Sequence, residues 1–109
     1  MTSPELSPDH SSRRAFLVER YVSAAHAAGL ASSTLRLARL CAETDRTGPR
    51  VRYLYSAYLP AEDTCFCLFQ APSSEAVRAL NQRAGFALDR IVEAALLPVD
   101  GTAVSGLRP

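Results

Sequence analysis

The spacing of hydrophobic and polar positions divides the chain into six segments that predict strands and helices. The first, residues 15–22 (AFLVERYV), is rich in β-branched and aromatic residues and alternates as a strand does. Successive side chains of a strand point to opposite faces. One face is therefore expected to carry Phe16, Val18 and Arg20, and the other Leu17, Glu19 and Tyr21.

An Ala- and Leu-rich stretch, residues 23–45, predicts a helix. Its buried face is predicted to carry Leu30, Thr34, Leu37 and Cys41. Gly29 weakens the beginning of this stretch, so the helix either runs through it or begins after it, with Ser32 or Ser33 as the cap. Gly48 and Pro49 are expected to end the helix and turn the chain.

Residues 51–59 (VRYLYSAYL) and 64–70 (TCFCLFQ) are strong strand signals with a short connection, which predicts a hairpin. A second helix is predicted to begin after Ser73, its N-cap, and to end at Gly85. Its buried stripe would be Ala76, Val77, Leu80 and Ala84. Residues 88–97 (LDRIVEAALL) predict the last strand.

The predicted order β-α-β-β-α-β is that of an α+β, ferredoxin-like fold. Such a fold has a four-stranded antiparallel sheet with two helices on one face. The other face is either solvated or covered by a partner. Because these strands hold many large apolar and aromatic residues, we expect the face to be covered in a homodimer of the dimeric α/β-barrel type.

Composition narrows the class of protein further. The chain has 109 residues, 48% of them hydrophobic, with a formal net charge of +1. This length predicts one domain, at residues 15–98. The polar residues 1–14 predict a disordered leader, and the small and polar residues 99–109 predict a flexible tail. The sequence lacks the basic stripe that is typical of nucleic-acid-binding domains. It also lacks the apolar run that a membrane span or a secretory signal needs. Three cysteines, an odd number, favour free thiols in a reducing cytoplasm.

Cys65 and Cys67 are two residues apart on one predicted strand and should share a face. Soft thiolates suit zinc, copper(I) or nickel, so this pair is a candidate for a metal site. Two ligands do not complete a site, and cysteine is among the most buried residue types. Packed, inert thiols are therefore the alternative.

Glu19 and Glu93 are carboxylates inside otherwise apolar strands, where charge is rarely buried unless it is paired. In this topology the first strand neighbours the third and fourth, so we expect both acids on one face. A suitable hairpin register would add Tyr53 or Tyr55 and one of the thiols. Two facing carboxylates raise one another's pKa and can do acid–base chemistry or hold a cation.

The alternative for these acids is an edge or interface pair, satisfied by arginine. The candidate partners are Arg20, Arg52 and Arg90. Arg20 and Arg52 are also candidates for binding an anionic ligand, beside the more ordinary solvated or ion-paired role. The tyrosines suit an interface, because their rings pack while their hydroxyls hydrogen-bond.

Residues 15–97 resemble the DUF4242 family of small ferredoxin-like proteins, of which one branch is nickel-binding. The resemblance rests on the LVER strand, Glu62-Asp63, Cys67, Ala71-Pro72-Ser73, Arg83-Ala84-Gly85 and Asp89-Arg90-Ile91-Val92-Glu93. It implies a sheet-to-sheet dimer and possible nickel binding. The metal-associated branch carries Trp-x-His-Ser-Tyr in its second strand, where this chain has Tyr55 at the position of the His. Nickel prefers imidazole nitrogen to a neutral phenol.

The sequence therefore predicts a small cytoplasmic binding protein that holds a divalent metal such as nickel, or a small molecule, in a sheet-side or dimer cavity. The candidate ligand-binding residues are Glu19, Tyr53, Tyr55 and Glu93, and the candidate metal ligands are Glu19, Cys65, Cys67 and Glu93. One alternative is a cofactor-independent enzyme, similar to the monooxygenases or cyclases of related barrels. Another is a dimeric interaction protein without a ligand.

Overall fold

A computed structural model describes residues 14–97 and has the predicted order of strands and helices, with one additional short helix. The strands are β1 (Ala15–Tyr21), β2 (Arg52–Leu59), β3 (Thr64–Gln70) and β4 (Arg90–Ala94). The helices are α1 (Ala24–Ala27), α2 (Leu30–Thr47) and α3 (Ser74–Arg83), with a 3-10 turn at Pro60–Glu62. Apart from Arg14, the predicted leader and tail lie outside the described residues.

The four strands form one antiparallel sheet in the order β2-β3-β1-β4. β1 thus lies between β3 and β4, as the topology predicts. The helices pack on one face, so the α+β fold class is confirmed. We call the covered side the helix side and the other side the open face.

The core lies between the sheet and the helices. The strands contribute alternate residues to it, and α2 and α3 each contribute one stripe. Its most completely buried large side chains are Phe16, Val18, Leu37, Val51, Phe69 and Val77. The predicted stripe of α3 is confirmed, since Ala76, Val77, Leu80 and Ala84 are all buried. Within residues 14–97, no helix has both the length and the apolar character that a bilayer crossing requires.

Gly29 divides the first helical stretch, because α1 ends at Ala27 and α2 begins at Leu30. The sequence allows a helix that runs through Gly29 or one that begins at Ser32 or Ser33. The structure instead has a short helix, a break at Gly29 and a long helix. At the far end of α2, the Thr44 hydroxyl accepts a 2.8 Å bond from the Val51 backbone N–H and donates a 2.6 Å bond to the Cys41 carbonyl. This side chain ties the end of the helix to the beginning of the hairpin.

β4 is shorter than the predicted segment at residues 88–97. Its ladder with β1 runs from Glu19↔Arg90 to Ala15↔Ala94, which is as far as β1 itself extends. Beyond that pair the segment has no ladder partner among the described residues. The prediction of strand character was right, but the length was set by the neighbouring strand.

The N-cap of α3 provides a test of this local sequence signal. Ser73 has extended backbone, and its hydroxyl accepts a 3.2 Å bond from the Ala76 N–H. We expect Ser73→Ala to lower the free energy of unfolding by about 1 kcal/mol, because one helix N–H loses its partner. Urea unfolding followed by circular dichroism measures this. Ser74→Ala is the matched control, and equal losses in the two variants would contradict the capping role.

Candidate functional site

The register of the sheet decides which candidate residues lie together. β1 pairs Val18 with Cys67 and Arg20 with Cys65, while β4 pairs Glu93 with Phe16. Directly paired residues of antiparallel strands share a face. The helix side therefore receives both cysteines and Tyr53, and the open face receives Glu19 and Tyr55.

The expectation that Glu19 and Glu93 share a face is wrong. Glu19 pairs with Arg90 and Glu93 pairs with Phe16, which places the two carboxylates on opposite sides of the sheet. Each pair between β1 and β4 joins an odd-numbered residue to an even-numbered one, and paired residues share a face. Glu19 and Glu93 both have odd numbers, so the alternation along the two strands places them on opposite faces. They do not form a paired-carboxylate site within one copy of the chain.

Glu93 lies at the edge strand in an exposed ion pair. Its carboxylate accepts bonds of 3.0 and 3.2 Å from the Arg14 guanidinium. The hydrogen bond from Arg14 lowers the pKa of Glu93 below its ordinary value. Both side chains are about half exposed, so Glu93 forms a surface ion pair rather than part of a carboxylate site. An arginine-satisfied pair was the predicted alternative, but Arg14 was missed as the partner.

A bulge in β2 separates the two tyrosines. Tyr53 pairs with Phe69 and Tyr55 pairs with Leu68, so Leu54 is the additional residue. The bulge turns Tyr55 to the open face, where its side chain is 62% exposed. It also places Ser56, three residues from Tyr53, on the helix side, where their hydroxyls hydrogen-bond to each other.

The helix side holds a buried polar cluster around Cys67. The Ser56 hydroxyl donates a 2.9 Å bond to the Cys67 sulfur, and the Arg20 guanidinium lies 3.9 Å from the same sulfur. Cys65 and Cys67 are both fully buried free thiols. Sequence reasoning missed Ser56, because its place depends on the bulge. Arg20 could be found, since it alternates with Phe16 and Val18.

Burial raises the pKa values of Cys67, Cys41 and Tyr53. It raises the pKa of Cys67, against the opposing effects of the Ser56 hydrogen bond and the Arg20 charge. Burial, with a smaller contribution from Cys67, raises the pKa of Cys41 to about 12. Burial likewise raises the pKa of Tyr53. At neutral pH Cys67 and Tyr53 therefore offer a neutral sulfur and a neutral oxygen rather than a thiolate or a phenolate.

Of the candidate metal ligands, Glu19 is the residue that lies on the open face. Its carboxylate lies 3.7 Å from the Arg90 guanidinium, and its side chain is 36% exposed. Phe66 lies directly beside it on β3. Tyr55 lies near Leu68 in the next row of the face, so Glu19 and Tyr55 are not direct neighbours.

The described residues of one copy do not fit a nickel centre. Within residues 14–97, no three side chains of His, Cys, Asp or Glu come together in a way that could hold a metal ion. A groove of about 210 Å3 lies between α2 and β2, with Cys41 and Tyr53 among its lining residues. Asp45 and Arg50 also line it and form an ion pair at 2.9 Å, so those two charges already satisfy each other.

Comparison with known proteins gives a family and a fold. The family described as "Nickel responsive protein SCO4226-like" matches residues 16–94. The crystal structure of SCO4226 from Streptomyces coelicolor A3(2) is similar, with 27% sequence identity and a TM-score of 0.62. The match covers 77% of this chain and 99% of that chain. No curated protein matches the chain.

The raised pKa of Cys41 has a consequence for stability. The unfolded thiol ionises near its ordinary pKa of 9.0, whereas the folded thiol stays protonated up to about 12. The contribution of the protonated Cys41 thiol to the free energy of unfolding is therefore fully present below pH 9 and is lost as the pH rises toward 12. We expect the free energy of unfolding to fall above pH 9, and to fall less steeply in Cys41→Ala.

Urea unfolding at pH 7, 8, 9 and 10 in a phosphine reductant measures this. Between pH 7 and pH 8 the wild type and the variant should differ by a constant amount, which serves as the internal control. Curves that stay parallel above pH 9 would show that Cys41 does not carry the effect.

Proposed function

Because the chain belongs to the SCO4226-like family of nickel responsive proteins, we propose that it is a small binding protein that works as a homodimer. In this proposal two copies pack through their open faces, and the ligand lies between the sheets beside Glu19. The likeness to DUF4242 proteins is part of the same proposal. Three free thiols support a reducing compartment such as the cytoplasm.

The observation that carries the proposal is the open face itself. It is an apolar surface with one carboxylate on its central strand β1. Leu17, Phe66 and Val92 are half-buried there, and Tyr55 is exposed. An apolar face on the middle of a sheet is costly to leave in water, and a second sheet about 10 Å away buries it.

Charge supports a second copy of this chain as the covering partner. The same face carries Glu19 and Arg90, and Arg52 lies on it at the far edge beside Gln70. A two-fold axis would therefore bring both signs of charge into the interface, so that Arg90 and Arg52 around the axis balance the Glu19 carboxylates close to it. A surface with both signs of charge is complementary to itself, which a purely acidic or basic face is not.

A metal site in this proposal is completed across the dimer. One described copy brings no three metal-ligating side chains together, so a divalent ion needs donors from both copies. Each copy supplies the Glu19 carboxylate, and a two-fold axis near β1 brings the two acids toward each other. The apolar side chains that flank Glu19 favour a small organic molecule as the second candidate ligand, held by the same carboxylate.

The dimer is tested first. We expect Leu17→Asp to convert a dimer into a monomer, because it places a charge at the centre of the proposed interface. Light scattering after gel filtration measures the mass. Leu35→Asp is the matched control, since Leu35 is an exposed leucine on α2 and should leave the dimer intact. A monomeric wild type, or equal dissociation in both variants, would refute the proposed interface.

Nickel binding is tested on untagged protein purified without chelator. We expect uptake of nickel chloride, measured by calorimetry and by plasma mass spectrometry, to fall at least about tenfold in Glu19→Gln, since each copy loses its carboxylate donor. Glu93→Gln removes the same charge from the opposite side of the sheet and should bind as the wild type does.

Retention of nickel by Glu19→Gln would contradict the metal site. A dimer that takes up no nickel would do so as well. Native mass spectrometry of the purified dimer then tests the second candidate, an organic molecule held between the sheets, and a ligand-free dimer would contradict it.

A further inference from the structure

Arg20 is a buried cation without a described counter-charge. The residue is 5% exposed, and no ion pair joins it to a carboxylate within residues 14–97. Among the described residues, its Nε has no hydrogen-bond partner. Burying a charge is costly unless it is paired and hydrogen-bonded. The contacts that it does make, with the Phe86 ring at 4.2 Å and the Cys67 sulfur at 3.9 Å, compensate only part of that cost.

A second guanidinium lies at the same ring. The Arg36 side chain of α2 lies 5.3 Å from the centroid of Phe86. Arg36 is exposed, whereas Arg20 is buried, so one of the two cations at this ring is open to solvent and the other is not. Neither forms an ion pair with another described residue. Two like charges at one phenyl ring repel each other, and an anion nearby would offset that repulsion.

From this arrangement we propose that Arg20, Arg36 and Phe86 form a binding site for a small oxyanion, either a carboxylate or a phosphoryl group. The guanidinium group presents N–H donors in a planar fork that matches both kinds of oxyanion. Arg20 contributes a buried Nε without a partner among the described residues, Arg36 contributes a second, exposed guanidinium, and Phe86 is the ring that both contact. The bound anion pairs the buried charge, for which residues 14–97 supply no carboxylate.

This site is separate from the one under the proposed function. Arg20 and Glu19 are consecutive in β1 and therefore lie on opposite sides of the sheet. The anion site needs neither nickel nor a second copy of the chain. A failure of either proposal thus leaves the other standing, and the assays contain no metal.

Inorganic phosphate and sodium acetate are the probes, each titrated into the full chain by calorimetry at constant ionic strength in chloride. We expect saturable binding at one site per chain and a matching rise in Tm, since a ligand that prefers the folded state stabilises it. Stronger binding of phosphate would indicate a phosphorylated ligand, and stronger binding of acetate an organic acid. Absence of saturable binding for both anions would overturn the proposal.

Arg36→Ala is the main variant, because Arg36 is exposed and the fold does not depend on it. We expect it to weaken anion binding about tenfold or more, since it removes one charged donor. Arg39→Ala is the matched control: it removes the same charge from the same helix at another exposed position, and it should bind as the wild type does. Equal weakening in both variants would indicate a diffuse charge effect and overturn the site.

Arg20→Met keeps an unbranched side chain that can pack in the core and removes the charge. We expect this variant to lose anion binding and to lose the rise in Tm with phosphate. Anion binding that persists in a folded Arg20→Met protein would overturn the assignment of Arg20. If the variant does not fold, the comparison of Arg36→Ala with Arg39→Ala decides the proposal alone.

Discussion

The antiparallel pairing of β1 with β3 and β4 is the constraint on which the rest of this structure depends. It fixes Val18 opposite Cys67 and Glu19 opposite Arg90, and with them the face on which each residue of β1, β3 and β4 lies. A slip of one residue would move Phe16 and Val18 from the core to the open face and lose their burial, worth about 1.5–3 kcal/mol for each such side chain. The helices cover one side of the sheet only, so the same register that builds the core also leaves Glu19 outside it.

The bulge at Leu54 modifies that register within β2 and creates the polar cluster inside the core. Without it, Tyr53 and Tyr55 would share a face and Ser56 would point away from Cys67. With it, the Ser56 hydroxyl reaches both Tyr53 and the Cys67 sulfur. Each of these polar groups then has a partner at a depth where an unpaired one would cost about 1–3 kcal/mol. The sulfur becomes an acceptor in a buried network, which is a structural use of a residue that sequence alone offers as a metal ligand.

Local signals in the sequence were sufficient for the order of the four strands and of the two longer helices along the chain, though not for the short helix α1 or the length of β4. The cap at Ser73, the hairpin strand 64–70 and the buried stripe of α3 are confirmed because each depends on residues near one another in the chain. The relation between Glu19 and Glu93 could not be predicted in the same way. It depends on the offset between two strands that are distant in sequence, and alternation within each strand says nothing about that offset. The same limit applies to Ser56, since one inserted residue reverses the alternation from that point on.

The two consecutive charges of β1 show how one short strand can serve two environments. Glu19 lies on the open face with Arg90 at 3.7 Å, where water still screens the pair. Arg20 lies under the helices, where screening is weak and a cation without a counter-charge is costly. A domain of this size is stabilised by only about 5–15 kcal/mol, so such a cost is a substantial fraction of the total. Phe86 and Cys67 lower it through a cation–π contact and a weak hydrogen bond, but neither carries negative charge. The two neighbouring charges therefore differ in what surrounds them: Arg90 and water balance Glu19, whereas no carboxylate of residues 14–97 pairs with Arg20.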